Sequence, residues 1–362
     1  MDFKVSVVIP MYKAGEFILK NTDALLAQTL QELEVVIVND CSPDNSMELC
    51  RERYGNNERV RLIDQPRNMG PGEARNTGIK AARGEYIAFT DADDGVLPDA
   101  YERMYDAAKA NDADVLHCTG AIYPLVKDPP ADLLEIKEED LLRLPTDRFD
   151  VAQEVRTISS DPMVRFRSYL KESYQWNVWN KLYRRTFLLE NDLHFGEMRL
   201  AEDQVFCFAC LLYAKNYVQM PGEFYIYRIA ENSLSRGADR IAMLIKAVSA
   251  QIDMVPMVHE IMEKCSVFDR GSIQEAVDFI SDNLEMIFIR PSFQEAGEEA
   301  IIKDGRLKSL FDEKYGAYAD QIFYMFMQQH KNYPPVQDIL RLISDVDFLK
   351  ANRDKFGKPA LG

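Results

Sequence analysis

Basic residues are scarce in this chain relative to acidic ones: 43 Lys and Arg stand against 59 Asp and Glu, a formal net charge of −16. Nucleic-acid binding depends on neutralising phosphates with Lys and Arg, so no nucleic-acid partner is expected. The same charge argues against whole-surface attraction to anionic lipid, although the local basic group Lys181, Arg184 and Arg185 leaves peripheral membrane contact open. The six cysteines, Cys41, Cys50, Cys118, Cys207, Cys210 and Cys265, lack the spacing of a disulfide scaffold and fit reduced thiols. Cys207-Phe208-Ala209-Cys210 has a redox or zinc spacing but lies in an apolar helical run, without a second Cys or His pair nearby. The longest apolar stretch, Val205 to Ala214, is far short of the roughly 20 residues that span a bilayer. Met1-Asp2-Phe3-Lys4 runs into a strand-like segment with no charged-then-apolar leader, so a soluble cytoplasmic protein is expected. No internal repeat or low-complexity segment is present.

A Gly-rich turn after the first strand is also missing. Pro10-Met11-Tyr12-Lys13-Ala14-Gly15 stands in its place, which argues against a dinucleotide-binding dehydrogenase and against a sugar nucleotidyltransferase. The P-loop spacing is absent altogether.

What is present is an alternation of strands and helices. With 362 residues, 47% of them hydrophobic and 28% charged, the chain is long enough for two soluble domains. Val5 to Ile9, Glu34 to Asp40, Val60 to Ile63, Tyr86 to Phe89 and the stretch from Asp114 to His117 read as strands. Helices are expected from about Ala14 to Ala27, from Pro43 to Tyr54, from Pro71 to Ala82 and from Pro98 onward. This order predicts an α/β fold with a mainly parallel, Rossmann-like sheet covered by helices on both faces. From Pro124 to about Arg156 the pattern breaks down, and Phe224 to Arg228 reads as a last strand. Ile241, Leu244, Ile245, Val248, Ile252 and Val255 share one helical face, with Pro256 expected to end or kink that helix; Ile273, Val277, Ile280, Leu284 and Phe288 mark another. Residues 1–236 are therefore expected to form one domain and 237–362 a mostly helical accessory region.

The chemistry is expected where Tyr86-Ile87-Ala88-Phe89 runs out into Thr90-Asp91-Ala92-Asp93-Asp94. Ligands of open α/β sheets bind beyond the carboxyl ends of the strands. Asp91 and Asp93, one residue apart with no adjacent Lys or Arg, repel each other unless a hard divalent cation sits between them. Taken alone, the cluster serves equally as a turn and a cap for the following helix.

Val7-Val8-Ile9-Pro10-Met11-Tyr12, Val38-Asn39-Asp40 with Ser42-Pro43-Asp44, Asn68-Met69-Gly70 with Ala74-Arg75-Asn76-Thr77-Gly78, Asp91-Ala92-Asp93-Asp94, and Glu202-Asp203 before Phe206 together resemble glycosyltransferase family 2, in that family's order. Trp179-Asn180-Lys181-Leu182-Tyr183-Arg184-Arg185, and Tyr227-Arg228 with Asn232-Ser233-Leu234-Ser235, look like the bacterial branch that builds surface polysaccharides. The resemblance stops short of the helical C-terminal portion. It implies a GT-A fold and inverting transfer of a sugar from a nucleoside diphosphate donor, UDP-linked, to a hydroxyl of a glycan, glycolipid or glycoprotein. Pro10 and Tyr12 would line the base pocket, Asp40 would accept a hydrogen bond from the base, and Arg75 would face the nucleotide or its diphosphate. Asp91-Ala92-Asp93 would be the family's paired-acid DXD motif, with Asp93 and Asp91 as ligands of Mn2+ or Mg2+; Asp94 is the acid least tied to this role. Asp203 would be the catalytic base, with Glu202 beside it as the alternative or as an orienter of the acceptor.

Trp176 and Trp179 fit either an acceptor wall or the core, and Lys181, Arg228 and Arg236 are candidate diphosphate contacts. The competing readings are a non-catalytic nucleotide-sugar-binding scaffold and a sugar nucleotidyltransferase. For the C-terminal helices, membrane docking, homodimerisation and acceptor binding all stay open.

Overall fold

Short aliphatic runs separated by turn residues set the first half of the chain. The computed structural model describes residues 2–15, 17–126, 129–145, 152–171, 176–228 and 239–331. In it Val5–Met11 forms β1, Phe17–Leu26 α1, Leu33–Asn39 β2, Ser46–Tyr54 α2, Val60–Asp64 β3, Pro71–Ala81 α3 and Tyr86–Phe89 β4. These four strands pair in parallel, with Val7 opposite both Val35 and Ala88. Their side chains alternate between two cores. Val8, Val36, Val38, Ile87 and Phe89 join Ala74 and Ile79 of α3 on one face, while Val7, Val35, Ile37 and Ala88 join Ile18 of α1 and Cys50 of α2 on the other. A strand covered on both faces has no polar side, which is why these segments read as unbroken apolar runs.

Beyond β4 the sheet becomes mixed. Gly95–Val96 is β5, Ala100–Ala110 α4, Val115–Pro124 β6, Leu141–Pro145 β7, Arg156–Thr157 β8, Pro162–Leu170 α5, Lys181–Arg184 β9, Arg185–Glu190 α6, Glu202–Tyr213 α7 and Tyr217–Ile226 β10. The strand order is β3-β2-β1-β4-β9-β6-β10-β5, with β7 on β6 and β8 on β10. β9 is antiparallel to both β4 and β6, and so wedges into the middle of the sheet. The aromatic and basic run around it hid that strand from a reading of polarity. Leu182 and Tyr183 enter opposite cores, and Lys181 is buried with Nζ donating to Asn177 O and, at 2.8 Å, to Asn180 Oδ1.

The C-terminal helices are α8 (Arg240–Cys265), α9 (Arg270–Leu284), α10 (Arg290–Ala296), α11 (Glu298–Asp304), α12 (Arg306–Tyr315) and α13 (Ala319–Lys331), with a π-type turn over Glu285–Ile289. Asp239 and Asp269 cap α8 and α9, accepting from Ala242 N at 2.9 Å and Ser272 N at 2.7 Å. α8 runs on through Pro256 instead of ending there. The domain boundary expected at 236/237 lies outside the described residues. Beyond it, α8 and α9 place Met254, Val258, Met262, Ala276 and Ile280 in the same apolar cluster as α7 and the sheet. Among the described residues α8 is the one helix long and apolar enough to cross a membrane. Its Leu244, Ala247 and Val248 pack with Phe293, Leu307 and Phe311 in a separate helical core.

The seat of α3 on β1 is the tightest of these contacts. A Cβ at Gly78 would lie 2.2 Å from Val8 Cγ1 and 3.1 Å from its Cβ. Gly78→Ala is therefore expected to lower stability by about 1–3 kcal/mol through overpacking, read as a lower urea midpoint with the slope unchanged.

Candidate active site

At the carboxyl end of β4 the chain turns through Thr90 to Asp94, and α1, β10 and the segment just past β10 hold that turn. From α1, Asn21 Nδ2 donates to Asp91 O at 3.1 Å and Asp94 O at 2.7 Å. From β10, the Tyr225 hydroxyl accepts from Asp91 N at 3.0 Å and donates to Asp94 Oδ2 at 2.5 Å. Just past β10, Arg228 N donates to Asp94 Oδ1 at 2.7 Å. Asp94 is thus a buried strut. Burial and the neighbouring charges of Asp93 and Asp91 hold its carboxyl well above the usual carboxylate range. Ala92 turns its methyl into the core. Asp91 and Asp93 are half-buried, the Asp91 side chain 38% exposed. Burial and then the Asp91 charge raise the Asp93 carboxyl.

A second pair of acids meets this turn from α7. Ala201 sits in the left-handed region at φ 59, and the backbone then enters the helix so that Glu202 and Asp203 occupy its first turn. Glu202 faces inward to Arg75, its Oε1 3.1 Å from Nη1, and the other arm of the same guanidinium reaches Asp91 Oδ1 at 3.0 Å. Asp203 lies at the surface side, its Oδ1 accepting from Gln204 N at 2.9 Å. Burial, reinforced by the Glu202 charge, pushes the Asp203 carboxyl up to about 7 against the pull of Arg75.

The ends of β1 and β2 complete the edge. Asp40 N donates to Met11 O at 2.9 Å, and the Asp40 carboxylate accepts from Met69 N at 2.6 Å and Gly70 N at 2.8 Å, which fixes the loop that opens α3. Pro10 and Tyr12 lie beside it, the Tyr12 ring 43% exposed with Lys13 Nζ 5.4 Å from its centroid. Asp44 gathers Ser42 Oγ, Ser46 Oγ and Gly15 N, tying the two loops together. Pro10, Tyr12, Asp40, Asp91, Ala92, Asp93, Glu202 and Asp203 are therefore brought to one edge, while Arg75 lies beneath it with its guanidinium between two carboxylates.

Other candidates are engaged within the protein. Arg228 is buried, and its guanidinium donates to the carbonyls of Asp93, Pro129, Pro130 and Ala131. Trp179 is buried and stacked on Tyr225 at 4.3 Å, so it belongs to the core. Trp176 is half-buried against the α7 core, and Lys181 is enclosed in β9. Arg236 and Asn232 to Ser235 lie outside the described residues. Tyr225 and Asn21 carry no motif. Only the pairing of β10 with β5 and the packing of α1 bring them to the turn.

Two half-exposed carboxylates with oxygen donors only suit a small hard cation that completes its shell with water and substrate phosphates. Among the described residues no group of three or more His, Cys, Asp and Glu is arranged to hold a metal alone. A cation here would arrive with a phosphate ligand.

Residues 6–175 match the profile described as glycosyl transferase family 2. EpsJ of Bacillus subtilis, an uncharacterized glycosyltransferase, is 35% identical over 239 residues, covering 64% of this chain and 62% of its own. ExoO of Rhizobium meliloti, a succinoglycan biosynthesis protein, is 34% identical over 249 residues, covering 68% of this chain and 67% of its own. The chain spans less than two thirds of EpsJ and of the similar YibD of Escherichia coli, 62% and 63%. Among solved structures, S. aureus TarS 1–349 in complex with UDP-GlcNAc superimposes with a TM-score of 0.52 at 20% identity, over 91% of this chain and 90% of that one, a likeness of fold.

A carboxyl raised from 3.8 to about 7 binds its proton more tightly folded than unfolded, so stability falls as pH rises through that window. Asp203→Asn keeps the acceptor for Gln204 N and has no charge to bury. It is expected to raise Tm over wild type at about pH 8, with the gain vanishing towards about pH 4 in thermal melts.

Proposed function

The chain belongs to glycosyltransferase family 2, and from that premise we propose that it is an inverting, cation-dependent glycosyltransferase. It moves a sugar from a nucleoside diphosphate donor, a UDP-sugar, to a hydroxyl of a glycan, glycolipid or glycoprotein in bacterial surface polysaccharide or glycoconjugate synthesis. The observation that carries this is the meeting of the Asp91–Asp93 turn with the head of α7 through the Arg75 guanidinium. Donor-side acids and a second carboxylate at one sheet edge are what transfer to a hydroxyl requires. ExoO, named for succinoglycan biosynthesis, supports the polysaccharide setting, and the UDP-GlcNAc held by TarS supports UDP as the nucleotide. The free cysteines and acidic surface support a cytoplasmic site of action.

In this reading Tyr12 and Pro10 hold the base, and Asp40 accepts a hydrogen bond from it with the lone pairs left by the Met69 and Gly70 amides. Asp93 and Asp91 are the ligands of Mn2+ or Mg2+. Such an ion, when bound, stabilises the charge that develops on the departing diphosphate. Asp203 takes the proton of the acceptor hydroxyl at Oδ2, since Oδ1 holds Gln204 N. Inversion needs that one base on the face opposite the leaving group. Glu202, its side chain 8% exposed and bonded to Arg75, is too enclosed for this task.

UDP is expected to bind with a Mn2+ requirement in titration calorimetry, and Asp93→Ala to remove the dependence on metal. Equal affinity for UDP in chelator and in Mn2+ would sink the cation assignment. Asp203→Asn is expected to keep donor binding and lose transfer by about 10²–10⁴-fold. Because the base works ionised, the wild-type rate should fall as pH drops through about 7; a rate independent of pH from about 5 to 8 would remove Asp203 from the role.

A further inference from the structure

Among the described residues Arg75 is the only Lys or Arg whose charged nitrogens lie within 4.0 Å of a carboxylate oxygen of Asp91, Asp93, Glu202 or Asp203. Its side chain is 8% exposed and lies over the Phe195 ring, 5.4 Å from the centroid. Nη1 donates to Glu202 Oε1 and Nη2 to Asp91 Oδ1, while the buried Nε–H has no acceptor. A buried donor left without an acceptor destabilises the fold. A lysine would avoid that cost but would place a single point charge where two carboxylates on different elements must be met. Only a planar fork spans both.

The surroundings of Arg75 divide mechanical docking from charge. Gly72 leaves room for α7, since a Cβ there would lie 3.1 Å from Glu202 Cγ and 3.2 Å from Phe195 Cβ. Asn76 exchanges two hydrogen bonds with the Phe195 backbone, Nδ2 to O at 2.9 Å and N to Oδ1 at 2.8 Å. The segment leading into α7 is thereby fastened to α3 without Arg75. What Arg75 adds is the neutralising link between acids that would otherwise push the head of α7 away from the turn.

We infer that Arg75 is a positioning residue that ties the Asp91–Asp93 turn to the head of α7 through Asp91 and Glu202, and so sets where Asp203 stands relative to the donor. Its guanidinium acts through these carboxylates and not on the diphosphate. The inference rests on the glycosyl-transfer reading above. A misplacement of about 1 Å between reacting groups is enough to cost about 100-fold in rate.

The test compares wild type with Arg75→Lys, Arg75→Gln and Glu202→Gln, reading UDP affinity in Mn2+ by calorimetry together with donor KM and kcat. Arg75→Gln is expected to lose kcat about 100-fold while UDP affinity and donor KM stay within about threefold. Arg75→Lys should recover part of kcat, because one ammonium reaches one acid at a time. Should Arg75→Gln fail to fold, Glu202→Gln keeps the side-chain shape and is expected to lower kcat with KM kept. A rise of about tenfold or more in UDP Kd and donor KM with kcat preserved would show direct diphosphate contact and overturn the inference. If wild type binds no UDP, the glycosyl-transfer reading fails on its own. The Tm shifts of Arg75→Lys, Glu202→Gln and the double variant still decide the tie: non-additive shifts support it and additive shifts overturn it.

Discussion

Five carboxylates, Asp91, Asp93, Asp94, Glu202 and Asp203, gathered at one edge of a sheet repel one another, and the arrangement of this site follows from how that repulsion is contained. Asp94 is withdrawn into the core and satisfied by the Tyr225 hydroxyl and Arg228 N. Asp91 and Glu202 share one buried guanidinium. Asp93 and Asp203 are left without a cation within ion-pair distance among the described residues, and both carboxyls are raised by burial. Unneutralised acids of this kind are available to a ligand cation and to an acceptor proton, and in the proposed chemistry Asp93 and Asp203 take these parts, with Asp91 beside Asp93 offering the oxygen that Arg75 leaves free.

The fold supplies the convergence. β1, β2 and β4 are parallel neighbours, so their carboxyl ends deliver Tyr12, Asp40 and Asp91 side by side. α3 crosses behind them and presents Arg75 towards α7. The C-terminal helices take part in this. A Cβ at Gly196 would stand 2.4 Å from Met257 Cε of α8, and Leu200 packs against both the sheet-side and the helical cores. The backbone leading into Glu202 and Asp203 is therefore pressed from α8, which gives the accessory helices a physical hold on the head of α7.

Much of this was legible in the chain. The first four strands and the helices between them follow from apolar runs and turn residues, most plainly for β1, β2 and β4, which are covered on both faces. The doubled acids after Phe89 mark the edge, and the apolar run from Val205 lies in α7, which begins at Glu202. The strand β9 was not legible, since Lys181 and Asn180 satisfy each other's polar groups inside the sheet and so break the apolar signal. Arg228 looked like a phosphate ligand and is bound to backbone carbonyls, because the residues that claim it, Pro129 to Ala131, stand about a hundred positions away and are brought close only by folding.

Residue order alone determined which strand ends the acidic side chains follow, because hydrophobic periodicity and the carboxylate spacing are local properties. It left Asp94 between two roles, left Asp203 and Glu202 undivided, and set Arg75 towards a ligand. Tertiary structure decided where these side chains are held: Asp94 buried under Tyr225, and Arg75 between Glu202 and Asp91. A carboxylate's role depends on what neutralises or buries it, and here the deciding partners, Tyr225 for Asp94 and Arg75 for Glu202, come from elements more than a hundred residues away in sequence.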